Sequence, residues 1–224
     1  MGELFEGRIA TKLVPQERFR FKCLRCGQCC RDSNTIVTVS VSDILAIANH
    51  LHLGVDEVLS VLGFYQLSEN VPKSQIEKMV TRPVSTEKGT AFIGLLKGEG
   101  GKCIFLNEEN LCTIYPARPK VCRTFPFTYT ALKRLKGRVD YTIKMGIARK
   151  GLEYCPGLNT TGASLVNLQE SKKLGAQTLQ EMDQHTIFVE KWNEMVKTGK
   201  MKATARGLIE LILNAQKPPK GEIG

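Results

Sequence analysis

The sequence lacks the marks of the common enzyme classes. It contains no nucleophile elbow, phosphate loop, dinucleotide fingerprint or zinc-protease helix motif, which sets aside the hydrolases, nucleotide-driven enzymes and dehydrogenases that depend on them. Its 224 residues include three histidines and one tryptophan. His50, His52 and His185 have no second ligand in a diagnostic frame and read as structural or surface residues. Trp192 falls on a helical face and reads as packing. No apolar run approaches the ~18 residues of a membrane span, and the greasiest stretch, residues 207–215, is interrupted by Glu210. The first 22 residues carry charges throughout and lack an apolar export core, and Glu6 stands where a myristoylation signal needs Ser or Thr. These absences predict a soluble, cytoplasmic protein with reduced thiols.

What is abundant is cysteine and positive charge. A chain that is 42% hydrophobic and 24% charged is globular in composition. At this length it buries a core without cross-links, so eight cysteines need another reason. Residues 118–150 hold ten basic residues (Arg118, Lys120, Arg123, Lys133, Arg134, Lys136, Arg138, Lys144, Arg149 and Lys150) against Asp140, which supplies +9 of the formal +10. Such density fits a nucleic-acid surface, because neutralising phosphates releases counterions. It equally fits compensation of anionic thiolate centres, since four thiolates around a divalent ion or a [4Fe–4S]²⁺ core carry −2.

Hydrophobic periodicity divides the chain. ERFRFK reads as a short strand with Phe19 and Phe21 on one side, running into a ligand loop, CLRCGQCCR, that is neither regular helix nor strand. TIVTVS reads as a strand. Ser40 with Asp43 forms a helix N-terminus, followed by Ile44, Ile47, Ala48 and Leu51 at helical spacing and then Gly54. A second helix is expected to present Val58, Val61, Leu62 and Tyr65. Residues 68–91 read as a loop, with a strand near KMVTRPV. AFIGLLKG and CIFLN suggest a hairpin around GEGGK, and VDYTIKM a further strand. After Ser164 there is no cysteine, and no proline until Pro218. Met182, His185, Val189, Trp192 and Val196 repeat at helical spacing, as do Ala205, Leu208, Ile209 and Ile212, with a break at Gly199. The expected fold is α+β, a small irregular cysteine-rich core with short strands and helices plus a C-terminal helical segment. The expected organisation is a metal-binding domain over 1–163, a helical appendage over 164–216 and a flexible tail over 217–224.

The cysteines are Cys23, Cys26, Cys29, Cys30, Cys103, Cys112, Cys122 and Cys155. The run C-x2-C-x2-C-C lets the first three thiols wrap one centre, because two intervening residues suffice to reverse the loop. Adjacent Cys29 and Cys30 project differently, so one of them serves a second centre or stays idle. Eight sulfurs make two tetrathiolate sites by the simplest arithmetic, the second drawing on Cys103, Cys112 and Cys122. All-sulfur donors select zinc or iron–sulfur clusters over hard cations. The triple C-x2-C-x2-C resembles the [4Fe–4S] run of bacterial ferredoxins, and Cys155 before Pro156 repeats their remote Cys-Pro ligand, which favours iron–sulfur. Structural zinc also uses C-x2-C pairs, so zinc remains open.

CLRCGQCC, CIFLNEENLCTIYPARPKVCRTFPF and YCPG together resemble the CxxCxxCC cysteine-cluster family of zinc- or iron-chelating proteins over residues 20–160. The resemblance implies a metal centre on the eight cysteines. One branch of that family resembles flagellin lysine methylases and implies, as an alternative, transfer of a methyl group from S-adenosylmethionine to lysine.

Around the ligands, Arg118 and Arg123 flank Cys122 and are candidates for charge-assisted hydrogen bonds to thiolate or sulfide. Pro116, Pro119 and Pro126 restrict the backbone, while Phe125 and Phe127 could shield a site from water or serve as core. The function expected from the residues is a metal-binding cysteine-cluster protein, with an iron–sulfur cluster preferred and electron transfer or metal handling as its work, beside an unknown protein partner. The competing reading is a zinc-stapled module that binds nucleic acid through residues 118–150.

Overall fold

The structure is a computed structural model and describes residues 20–68, 81–134 and 141–215. Along the chain run α1 (Gln28–Arg31), α2 (Val41–Leu51), α3 (Val55–Val61), β1 (Leu62–Gln66), β2 (Val84–Thr86) and β3 (Gly89–Leu95). Two 3-10 turns follow, Glu99–Gly101 and Tyr115–Ala117. Then come α4 (Lys120–Thr124), β4 (Phe127–Arg134), β5 (Tyr141–Ile147), α5 (Arg149–Tyr154), α6 (Leu168–Lys197) and α7 (Ala205–Asn214). Helices and small antiparallel sheets with a helical C-terminal segment make the fold α+β, as expected. The chain divides into two compact units: residues 1–35, 97–115 and 120–183 form the first, and 36–96, 116–119 and 184–224 the second.

The second unit is built on β3. Its neighbours are β1 on one edge and β2 on the other, both antiparallel, with Leu62 opposite Leu95 and Val84 opposite Ala91. Where β2 ends, residues 37–39 take over the same edge through Val39 N to Ile93 O (3.1 Å) and Leu95 N to Val37 O (2.9 Å). A strand paired on both edges and buried from Ala91 to Leu95 explains the apolar run AFIGL. Ser40 caps α2 with a full capping box, its Oγ accepting from Asp43 N and its own N–H donating to the Asp43 carboxylate at 2.9 Å. Ile44, Ile47 and Ala48 are buried. The helix ends on His52 in the left-handed conformation (φ 55), leaving Gly54 as the N-cap of α3.

Several local expectations are overturned by strand pairing. Leu62 and Tyr65 belong to β1, not to the second helix, because pairing along β3 outweighs the helical spacing. AFIGL pairs with β1 and β2, and the glycine turn closes only a Lys97–Cys103 bridge, not a hairpin. TIVTVS forms a single bridge, Thr38 to Gly94, and Arg20 and Phe21 form single bridges where a strand is expected. Phe19 and the first three residues of KMVTRPV lie outside the described residues, and of its remaining four only Val84 is in a strand, as the start of β2. In the first unit, β5 takes up the part of the expected VDYTIKM strand that lies within the described residues, from Tyr141 on, and pairs with β4; Ile143, Met145 and Ile147 are buried at the period of two that a half-covered strand requires.

The helical tail is as expected. α6 stops at Gly199 (φ 73), and α7 begins on Thr204, whose Oγ accepts from Gly207 N at 3.0 Å. Within the second unit the end of α6 latches to β2. Fully buried Trp192 donates from Nε1 to Ser85 O at 3.0 Å, and Asn193 accepts from Ser85 N at 2.8 Å while donating to Pro83 O at 3.0 Å. Leu208, Ile209 and Ile212 of α7 are buried in the same unit.

His185 is 2% exposed; its Nδ1 accepts from the Val41 N–H at 3.2 Å, at the start of α2, and its Nε2 is buried without a partner. Burial lowers its pKa to about 4. The folded chain therefore holds the ring neutral, and the unfolded chain takes up the proton first. The stability this confers is fully present above about pH 6.5 and is lost as pH falls through about 4, amounting to about 3 kcal/mol between pH 7 and pH 4. Urea unfolding followed by Trp192 fluorescence should show this loss, and the His185→Asn variant should flatten it.

Candidate metal centre

All eight cysteines lie in the first unit, and backbone hydrogen bonds bring their segments together. The chain enters beside the segment of Cys155: Lys22 N donates to Gly157 O at 3.1 Å, Phe21 N donates to Ser164 O at 3.1 Å, and Arg20 Nη1 reaches Ala163 O at 2.7 Å. This sets Cys23 beside the Cys155-Pro-Gly turn. A Cβ at Gly157 would lie 2.3 Å from Lys22 O, so only glycine lets the two strands approach. Arg25 (φ 51) and Gly27 (φ 68) then turn the run through two left-handed residues. The expectation that residues 23–31 hold no helix is corrected: Cys29 and Cys30 sit on the single turn α1, started by the Gly27 carbonyl accepting from the N–H groups of Cys30 and Arg31.

A second junction joins Cys30 to the later cysteines. Cys103 N donates to Cys30 O at 2.8 Å, and Leu106 N to Cys103 O at 3.0 Å. The chain reverses so that Leu106 bridges to Cys112 and Thr113 N donates to Phe105 O at 2.9 Å. Cys122 rides on α4.

The thiols fall into two neighbourhoods. Cys30 lies within electrostatic reach of Cys29, Cys122 and Cys103, and Cys103 within reach of Cys112 and Cys29. Cys155 lies within reach of Cys29, Cys23 and Cys26. Cys29 stands between the groups, its Sγ 4.0 Å from that of Cys30. Cys23, Cys26 and Cys29 are exposed; Cys30, Cys112, Cys122 and Cys155 are half-buried; Cys103 is buried. The Cys30 thiol is pushed far up by its hydrogen bond with Cys29, then by burial and the neighbouring sulfurs. Burial pushes Cys103 and Cys155 up, against backbone N–H groups of Phe105 and Gly157 that donate to their sulfurs. Such N–H donors two residues beyond a cysteine stabilise a thiolate. Among the described residues, no three His, Cys, Asp or Glu side chains stand in coordination geometry. The thiols are gathered without being converged.

Sequence reasoning missed the residue that fastens the run. Asp32, just beyond α1, accepts from Lys150 Nζ at 2.5 Å and Tyr154 Oη at 3.2 Å, and its carbonyl accepts from Lys97 Nζ at 2.8 Å. Burial opposes its ionisation, but the hydrogen bonds from Lys150, Thr35 and Asn34 outweigh it and hold the carboxyl at about 2. Nothing local marks Asp32, because Lys150 and Tyr154 lie more than a hundred residues along the chain. The Arg31 guanidinium is tied to Asn110 and to Cys26 O (3.0 Å), and the Arg25 guanidinium lies 4.3 Å from the centre of the Tyr115 ring. Phe125 stacks on Tyr154, and Phe127 packs edge-on to Phe21.

Arg123 follows Cys122 on α4, whereas Arg118 is counted with the second unit. In the basic segment Lys120 pairs with Glu181 (2.9 Å), Arg149 with Glu153 (2.8 Å) and Lys150 with Asp32. Lys136, Arg138 and Asp140 lie outside the described residues. Among the described residues no single helix is long and apolar enough to cross a membrane; α2 and α3 reach that length only together and are bent by 114° at their break.

This run of cysteines has a known pattern. Residues 22–155 match the CxxCxxCC family model, described as a "Putative zinc- or iron-chelating domain", and the chain belongs to this family. An uncharacterised protein of Methanocaldococcus jannaschii is 32% identical over 158 residues, 70% of this chain and 68% of that one. No solved structure matches.

The close approach at Gly157 yields a prediction. Gly157→Ala should push Lys22 away from the Cys155 turn and cost about 1–3 kcal/mol in thermal unfolding. Gly98→Ala, at φ −84 and in ordinary contact, should be near neutral.

Proposed function

We propose that this chain is a thiolate metal protein with two centres in its first unit, Cys23, Cys26, Cys29 and Cys155 around one and Cys30, Cys103, Cys112 and Cys122 around the other, the former an iron–sulfur cluster. The observation that carries this reading is the pair of backbone junctions that put the Lys22 end of the cysteine run beside Gly157 and Cys30 beside Cys103. The donor set fits: every candidate ligand is a soft sulfur, and Cys103 and Cys155 already receive backbone N–H donors. Family membership supports zinc or iron as the metal. The C-x2-C-x2-C run with a remote Cys-Pro favours iron–sulfur for the first centre.

An all-cysteine cluster supplies one-electron chemistry when bound, and a closed zinc site is redox-silent. This chain would then serve electron transfer or metal handling. Its own residues hold the sulfurs, donate N–H groups to two of them, and fix the end of the ligand run through Asp32. Arg123, the residue after Cys122 on α4, would offset the anionic charge.

Anaerobic purification followed by analysis for iron, zinc and acid-labile sulfide tests the reading. Matching iron and sulfide with broad absorption near about 400 nm are expected. A colourless protein with zinc alone would overturn the cluster. A metal-free protein with all eight thiols titrating freely would overturn both centres.

A further inference from the structure

The two groups of cysteines differ in how they meet water and in how the chain builds them. Cys23, Cys26 and Cys29 are exposed and come from one short run, held at its start by the Lys22–Gly157 pairing and at its end by Asp32. Cys103 is 6% exposed, and Cys30, Cys112 and Cys122 are half-buried. Cys155, which completes the first group, is half-buried, but its three partners lie on an exposed run, and an exposed segment opens at low free energy. The second group has no exposed member: it joins α1, the Cys103–Cys112 reversal and α4 around buried Cys103, so opening it requires packed elements to move.

Resting on the two-centre reading above, we infer that the centres have unequal roles: the Cys30, Cys103, Cys112 and Cys122 group is a permanent staple, while the Cys23, Cys26, Cys29 and Cys155 group is an exchange site that gives and receives metal directly with a small anionic thiol in solution. The exposed thiols are interleaved with exposed Lys22, Arg25 and Arg31, and no acid lies between residues 22 and 31. That charge favours an acceptor bearing carboxylates as well as sulfur. Exchange needs no oxidant or reductant. Each incoming thiol gives its proton to the cysteine sulfur it displaces, one metal–sulfur bond forms as another breaks, and no electron changes hands. Arg31, tied to Asn110 and Cys26 O, and Asp32, tied to Lys150 and Tyr154, keep the emptied run in place for reloading.

The test uses the full-length protein as isolated anaerobically. It is exposed separately to EDTA and to reduced glutathione, desalted at intervals and analysed for retained metal, with parallel iodoacetamide labelling read by mass spectrometry. Two phases are expected, the faster by about ten-fold or more. Alkylation of Cys23, Cys26 and Cys29 should keep pace with the fast phase, and Cys103, Cys112 and Cys122 should stay protected. Glutathione should release the fast fraction alone. Cys26→Ser should lack that fraction yet keep the slow one and its circular dichroism. Release in a single phase, or first alkylation at Cys103, Cys112 or Cys122, would overturn the unequal roles with two centres still bound. Failure of glutathione to release metal that EDTA removes in two phases would overturn the thiol acceptor. Absence of metal at time zero, with all eight thiols alkylated together, would instead overturn the two-centre reading beneath the inference.

Discussion

Thiolates gathered at close range repel one another, and this repulsion is the constraint on which the first unit turns. At Cys30 it adds to a hydrogen bond with Cys29 and to burial, which push the thiol up first, with the charges of Cys29, Cys122 and Cys103 acting in the same direction. Without a cation the cheapest response is to stay protonated, and burial pushes Cys103 and Cys155 the same way. A divalent ion or cluster core removes the penalty by supplying the missing positive charge. The backbone has already met much of the cost of assembly, because the Lys22–Gly157 and Cys103–Cys30 hydrogen bonds hold distant segments together without any sulfur taking part. Two backbone N–H groups lean towards sulfur, and α4 carries Arg123 beside Cys122.

The second unit solves a different problem. Its core is a short sheet around β3 with the ends of α6 and α7 in the same unit. It uses hydrogen bonds where the sheet is short: Trp192 and Asn193 satisfy backbone groups of Pro83 and Ser85, and Glu87 accepts from Ala205 N at 2.7 Å. Among the described residues of this unit, Thr81 Oγ1 and His185 Nε2 are buried without a partner, while the other ring nitrogen of His185 is bonded to Val41. A neutral ring bears this arrangement; a charged ring at the positive end of α2 would not.

The basic segment illustrates how a charge count changes once side chains are placed. In sequence, residues 118–150 read as a block of positive charge open to phosphate. In the structure Lys120, Arg149 and Lys150 each have an acidic partner, and Lys150 holds the carboxylate that fastens the cysteine run. Part of this charge therefore serves the protein's own architecture.

The sequence by itself determined what chemistry is available and where regular helices begin and end. Eight sulfurs with no nearby histidine identify a soft-metal donor set, the spacing C-x2-C-x2-C-C and IYPARPKVCRTFPF mark the family, and Ser40 and Gly199 announce helix ends because capping is a local interaction. Tertiary structure alone decided which cysteines are neighbours, that Leu62 and Tyr65 join a sheet, that Cys29 and Cys30 share a helical turn, and that Asp32 anchors the run. These outcomes rest on pairings across tens to more than a hundred residues, as between Lys22 and Gly157 or Asp32 and Lys150. Local periodicity carries no record of such partners; only the folded backbone, by satisfying its own hydrogen bonds, selects them.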